Sequence, residues 1–133
     1  MKRFAKYLTF SFTSIILLLM PLVVSFASEP SPYLLYYGGA ATDMSFSGSV
    51  GTCSLYIAFE SGTSNVQGTW AVKDTTTGSQ IASWYVNKNS TVDALRTVDV
   101  TRGHTYKVSF SGTAYGKNGG SEPITCSTTR TYN

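Results

Sequence analysis

Apolar and polar residues alternate in short stretches along most of the chain after residue 50. This period of two is typical of strands that bury one face, and no helical apolar stripe of useful length follows residue 28. Turn-forming residues separate the stretches; Asn118-Gly119 is one example, because both positions tolerate positive φ. The alternating stretches are residues 52–59, 66–73, 80–87, 96–100, 104–115 and 123–132.

Together these stretches predict an all-β fold, an antiparallel two-sheet sandwich of about seven strands. The stretch YLLYYGGA, which starts at residue 33, is a candidate first strand or an exposed arm. The same alternation places Trp70 toward the core. It places Tyr56, Tyr85 and Tyr115 on the outward faces of their strands.

The beginning of the chain has a different character. Lys2, Arg3 and Lys6 precede an uncharged apolar run over residues 8–26, which ends at the small-residue site Ser25-Phe26-Ala27. This order is typical of a secretory signal peptide. We therefore expect residues 1–27 to form a signal helix, residues 28–44 an N-terminal extension or edge strand, and residues 45–133 the sandwich. Cleavage would give a secreted protein, and an uncleaved helix would anchor it in the membrane.

Charge and cysteine content limit the classes of function. Residues 28–133 carry seven basic and seven acidic side chains, so the expected mature domain has no net charge. It lacks the basic surface that binding to a phosphate backbone requires, and we expect no nucleic-acid partner.

Cys53 and Cys126 are the two cysteines. In an oxidising compartment they are expected to form a disulfide, with two free thiols as the alternative.

The segment VDVTRGHTYKVSFSGTAY, residues 98–115, resembles the E strand, E–F corner and F strand of fibronectin type III and immunoglobulin-like domains. The resemblance covers roughly residues 45–132. It implies that Gly103 is the turn glycine and Tyr106 the tyrosine that locks the corner, and that Trp70 is the core aromatic residue. The chain also resembles small exported sandwich proteins of Gram-positive bacteria, a likeness that implies no activity.

The cysteine positions depart from the immunoglobulin pattern. In those domains the second cysteine lies two residues after the corner tyrosine, a position held here by Val108. Cys126 lies one strand later. The resemblance therefore implies a bridge from Cys53, on or near the second strand, to the last strand.

The candidate chemistry is sparse. His104 is the single histidine, and no set of His, Cys, Asp and Glu has the spacing of a zinc site, so no metal or cofactor is expected. A hydrolase that uses His104 with Asp99 and a serine is one alternative, although no nucleophile-elbow motif frames a serine. We expect instead a non-enzymatic secreted or cell-surface module that acts by surface interaction.

A second alternative is a carbohydrate- or cell-wall-binding module. Tyr85, Tyr115 and Lys107 are its candidate ligand contacts, because tyrosine offers both apolar area and a hydroxyl to a sugar or a protein. The expected partner is a protein or a glycan at the cell surface, with no membrane contact beyond the signal segment.

Overall fold

The structure, a computed structural model, describes residues 36–133. The predicted signal segment and residues 28–35 of the predicted N-terminal extension lie outside the described residues. All regular structure in residues 36–133 is β-strand, which confirms the all-β prediction. The strands are β1 Tyr37–Ser47, β2 Val50–Phe59, β3 Thr63–Asp74, β4 Ser79–Lys88, β5 Val92–Asp99, β6 Thr105–Gly116 and β7 Ser121–Thr131.

The strands form two antiparallel sheets. One sheet has three strands in the order β1-β2-β5, and the other has four in the order β4-β3-β6-β7. Each of the six alternating stretches overlaps one of the strands β2 to β7. The turn between β1 and β2 contains Gly48, whose φ of 60° lies in the left-handed region that favours glycine. The described residues contain no apolar helix of membrane-spanning length.

The core lies between the sheets and takes alternate residues from each strand. On β6, for example, Tyr106, Val108 and Phe110 are all at most 2% exposed. Trp70 on β3 is also buried, and its ring centroid lies 5.0 Å from that of Trp84 on β4. The buried residues of the opposite sheet include Met44, Cys53, Leu55, Ile57 and Val92.

The predicted boundary between the N-terminal extension and the sandwich, at residue 45, falls inside strand β1. Its residues 37–44 pair with β2 throughout, apart from an irregularity between Tyr37 and Gly39. Glycine and alanine occupy positions 38–41, so the alternating pattern is absent there. Pairing with β2 supplies the order that the local composition does not indicate.

The expected disulfide is wrong for this structure, because Cys53 and Cys126 are both free thiols. Cys53 lies on β2, whereas Cys126 lies on β7. The neighbour of β7 in the opposite sheet is β1, as shown by the hydrogen bond from Thr128 Oγ1 to the Thr42 carbonyl at 2.6 Å. Strand β2 is one strand further in. Desolvation raises the pKa of Cys53 to about 11, so this thiol stays protonated.

Candidate functional site

The two lateral sides of the sandwich differ, and one of them is closed. There the edge strands β1 and β7 hold each other through the bond between Thr128 and Thr42. Arg130 on β7 also donates two hydrogen bonds to the Asp43 carboxylate on β1, at 2.9 and 3.0 Å. The hydrogen bonds from Arg130 hold the pKa of Asp43 below its ordinary value. These contacts cover both strand edges on this side.

The opposite side, between β4 and β5, is open. A cleft of about 510 Å³ lies there. The ring of Trp84 lies half-buried in the cleft and rests against Trp70 deeper in the core. Val50 and Ile81 at the cleft are each 38% exposed, so apolar surface stays in contact with water. The lining consists of Val50, Ile81, Ala82, Trp84, Thr97, Val98 and Asp99.

Of the two edges that border this cleft, β5 is the protected one. It is eight residues long and carries Asp93, Arg96 and Asp99. Arg96 pairs with Cys53, so it occupies a core-facing position of the strand, yet its side chain is exposed. Its guanidinium donates to the carbonyl of Leu95 at 2.8 Å. Short length and charges, especially an inward-pointing one, are the features with which proteins prevent pairing at a sheet edge.

Strand β4 has such features only near its two ends, and none of them lies between Ala82 and Asn87. It has ten residues, SQIASWYVNK, and its only charged residue, Lys88, stands at its end. The register shifts between β3 and β4 so that Ile81 has no partner residue, which marks a β-bulge at the start of the strand. From Ala82 to Asn87 the edge is regular and uncharged. Alternate backbone N–H and C=O groups of such an edge face solvent and can pair with another strand.

Tyr85, Tyr115 and Lys107 all lie on exposed positions of the four-stranded sheet. The register places Tyr85 level with Ser111, two strands away and four residues from both Tyr115 and Lys107 on β6. With strands about 4.8 Å apart and a rise of about 3.3 Å per residue, Tyr85 and Tyr115 have Cα atoms roughly 16 Å apart. The three residues therefore share one face without forming one patch. The carbohydrate-binding alternative stays a prediction.

His104 pairs with a different carboxylate from the one considered in the sequence. Its Nδ1 donates to Asp74 Oδ2 at 2.7 Å, and Asp74 also accepts from the backbone amides of Thr76 and Thr77. Desolvation acts to raise the pKa of Asp74, but these hydrogen bonds outweigh it and hold the pKa below its ordinary value. The pair joins the end of β3 to the turn before β6. This geometry is that of a structural clamp.

Gly103 and Tyr106 lie beside this pair. Gly103 has a φ of 89°, and the Tyr106 hydroxyl accepts a hydrogen bond from the Thr101 amide at 2.7 Å. The Tyr106 ring is 2% exposed and lies 5.7 Å from that of Phe46 on β1. The hydroxyl thus holds the segment between β5 and β6 against the start of β6. These residues stabilise the fold and offer no open site.

Within residues 36–133, no three His, Cys, Asp or Glu side chains come together in a way that could hold a metal ion. Comparison of the chain with known protein families, curated proteins and solved structures gives no match. The open side between β4 and β5, with its cleft and its exposed apolar residues, is the candidate functional site. The sequence pattern identified Tyr85 as an outward residue but did not show that its strand is an open edge, because the pattern marks the faces of strands and not the edges of sheets.

Proposed function

We propose that the protein is a secreted or cell-surface, non-enzymatic β-sandwich module that binds a protein partner by strand addition at the edge of β4. The supporting observation is the contrast between the sheet edges. Strands β1 and β7 cover each other, and β5 carries three charged residues. Strand β4 presents a regular, uncharged edge from Ala82 to Asn87. Natural proteins avoid exposing such an edge unless something pairs with it.

The side chains of β4 support the same proposal. Trp84 and Tyr85 are consecutive, so one lies on the core-facing side of the strand and the other on the outer side. Tyr85 is 70% exposed, and the exposed part of Trp84 faces the cleft. Large aromatic residues contribute most of the binding energy in many protein interfaces. A strand added beside β4 would contact both rings and cover the cleft.

We propose further that the sandwich is of the fibronectin type III kind. The Tyr106 hydrogen bond to Thr101 supports this assignment, since a tyrosine at this corner is a hallmark of immunoglobulin-like sandwiches. In constant-type immunoglobulin domains the fourth strand joins the sheet of the first, second and fifth strands. Here β4 joins the sheet of β3, β6 and β7, a difference that argues against the constant-type arrangement.

Site-specific photo-crosslinking tests the use of the β4 edge. A benzoylphenylalanine is placed at Tyr85 in cells that produce the full chain, and the adducts are identified by mass spectrometry. The matched control is the same residue at Tyr115, an exposed tyrosine on the inner strand β6 of the same sheet. We expect protein adducts from position 85 and none, or far fewer, from position 115.

Equal labelling at both positions, or labelling confined to position 115, would contradict binding at the β4 edge. Adducts with glycans and no protein would instead support the carbohydrate-binding alternative. A hydrolase would be indicated by an activity that disappears in His104→Ala while the circular dichroism spectrum stays that of a β-protein.

A further inference from the structure

We infer that the strand added to β4 is β4 of a second copy of this chain, so that the protein forms a two-fold symmetric dimer with one continuous eight-stranded sheet. This inference rests on the proposed use of the β4 edge. It is carried by the self-complementarity of the strand, in which residue types and charges match when the strand is paired with itself in the antiparallel direction.

The structure selects the register of this pairing. The bulge at Ile81 disrupts the first part of the edge, so the regular segment is residues 82–88. Its centre is Tyr85, which then faces Tyr85 of the second copy across the two-fold axis. On the core-facing side, Trp84 lies opposite Val86 of the second copy, an apolar pair. On the outer side, Ser83 lies opposite Asn87 of the second copy, a polar pair. Such cross-strand pairs stabilise antiparallel sheets.

The same register brings opposite charges together. Lys88 pairs with the buried Val66 on β3, so it occupies a core-facing position at the end of β4. In the dimer it lies opposite Ala82 of the other copy. Ala82 lines the cleft together with Asp99. Each Lys88 ammonium would therefore come close to the side of the other copy where Asp99 lies at the cleft, and the two-fold axis makes this approach twice.

A second copy also explains why only one side of the sandwich is open. On the closed side, Arg130 and Asp43 bind within one molecule. On the open side, the basic residue at the end of β4 and the acidic residue of the cleft, Lys88 and Asp99, have no ion-pair partner within the described residues. An unrelated extended segment could also pair with the backbone of β4, but its sequence would have no reason to place a basic side chain beside Asp99.

Disulfide trapping tests the dimer and its register together. In the proposed register, the two cysteines introduced by Tyr85→Cys, one in each copy, face each other within the range of a disulfide. The matched control is Ser83→Cys on the same strand and the same face. Its two copies would lie four residues apart along the strands, about 13 Å, which exceeds the roughly 7 Å limit between Cα atoms. Cells that produce the full chain are treated with diamide and analysed by non-reducing electrophoresis.

We expect Tyr85→Cys to migrate mostly as a dimer and Ser83→Cys to stay monomeric. Co-expression of Ser83→Cys with Asn87→Cys should restore the crosslink, because these positions face each other. The native thiols contribute little background, since desolvation raises the pKa of both Cys53 and Cys126. The substituted positions are all exposed, so the cysteines should not disturb the core. Circular dichroism of each variant checks that its fold is intact before the crosslinks are compared.

A charge exchange gives a second readout that does not depend on cysteine. Lys88→Asp should weaken the dimer at least about threefold in sedimentation equilibrium, and the additional change Asp99→Lys should restore it. Monomeric Tyr85→Cys, or equal crosslinking of Ser83→Cys, overturns the dimer. If position 85 photo-crosslinks to a different protein while Tyr85→Cys stays monomeric, the β4 edge remains the binding site and the second copy is excluded as its occupant.

Discussion

Tyr106→Phe removes a single oxygen atom from the corner between β5 and β6. The hydroxyl accepts the hydrogen bond of the Thr101 amide at 2.7 Å, and its contact with the Thr101 carbonyl at 3.4 Å is too long to add much. The ring itself remains and keeps its packing against Phe46. The change therefore isolates one hydrogen bond in a part-buried site, and little else.

The expected loss follows from that bond. Removal of one partner of a buried hydrogen bond leaves an unsatisfied donor and costs about 1–2 kcal/mol. In a domain of about 100 residues, each kcal/mol lowers Tm by about 4–8 °C. Urea unfolding followed by tryptophan fluorescence is a suitable assay, because the rings of Trp70 and Trp84 lie 5.0 Å apart in the folded state and separate on unfolding.

Tyr85→Phe is the matched control. Its ring is 70% exposed, so loss of this hydroxyl should change stability by less than about 0.5 kcal/mol. The reasoning is refuted if Tyr106→Phe unfolds at the urea midpoint of the wild type, or if Tyr85→Phe is destabilised as much. In either case the hydroxyl of Tyr106 does not hold the corner.

Three further predictions concern other parts of the fold. Because the pKa of Asp74 is lowered in the folded state, its contribution to stability is present above its ordinary pKa of 3.8 and is lost as the pH falls through the lower folded value. Asp74→Asn, which weakens the contact with His104, should therefore lower Tm at pH 7. The difference in Tm between this variant and the wild type should become smaller in thermal melts below about pH 4. A difference in Tm that does not change with pH would contradict the structural clamp. Gly112→Ala should lower the free energy of unfolding by about 1–3 kcal/mol, because the added Cβ would meet the backbone of β3 and the Phe110 ring. Gly62→Ala is the control, since a Cβ at this position has open space around it and should not change stability. Equal urea midpoints of the two variants would contradict the close approach of β3 and β6. Iodoacetamide added after unfolding without a reductant should label both cysteines, as mass spectrometry would show, and an unlabelled chain would reveal the disulfide that the structure lacks.

The strands β2 to β7 and their buried faces could be predicted because the signal is local. Alternation along residues 104–115 is enough to place Tyr106 inward and Tyr115 outward, since successive side chains of any strand point to opposite sides. Strand β1 was only partly foreseen, because glycine and alanine at positions 38–41 carry no alternation. The corner role of Tyr106 was implied by the resemblance of a short segment to fibronectin type III and immunoglobulin-like domains, since its hydrogen-bond partner Thr101 is only five positions away.

The remaining features depend on which strands become neighbours. His104 and Asp74 are 30 positions apart, and the clamp between them exists only because β3 and β6 pair. The two cysteines lie on strands that are not neighbours, because β7 packs against β1 and not against β2, and the contact between β7 and β1 also closes one side of the sandwich. The period of two along a strand determines which side chains face the core. It does not determine where a strand stands in its sheet, because that depends on pairings between distant segments. The tertiary structure alone therefore leaves the edge of β4 open and makes it the candidate binding site.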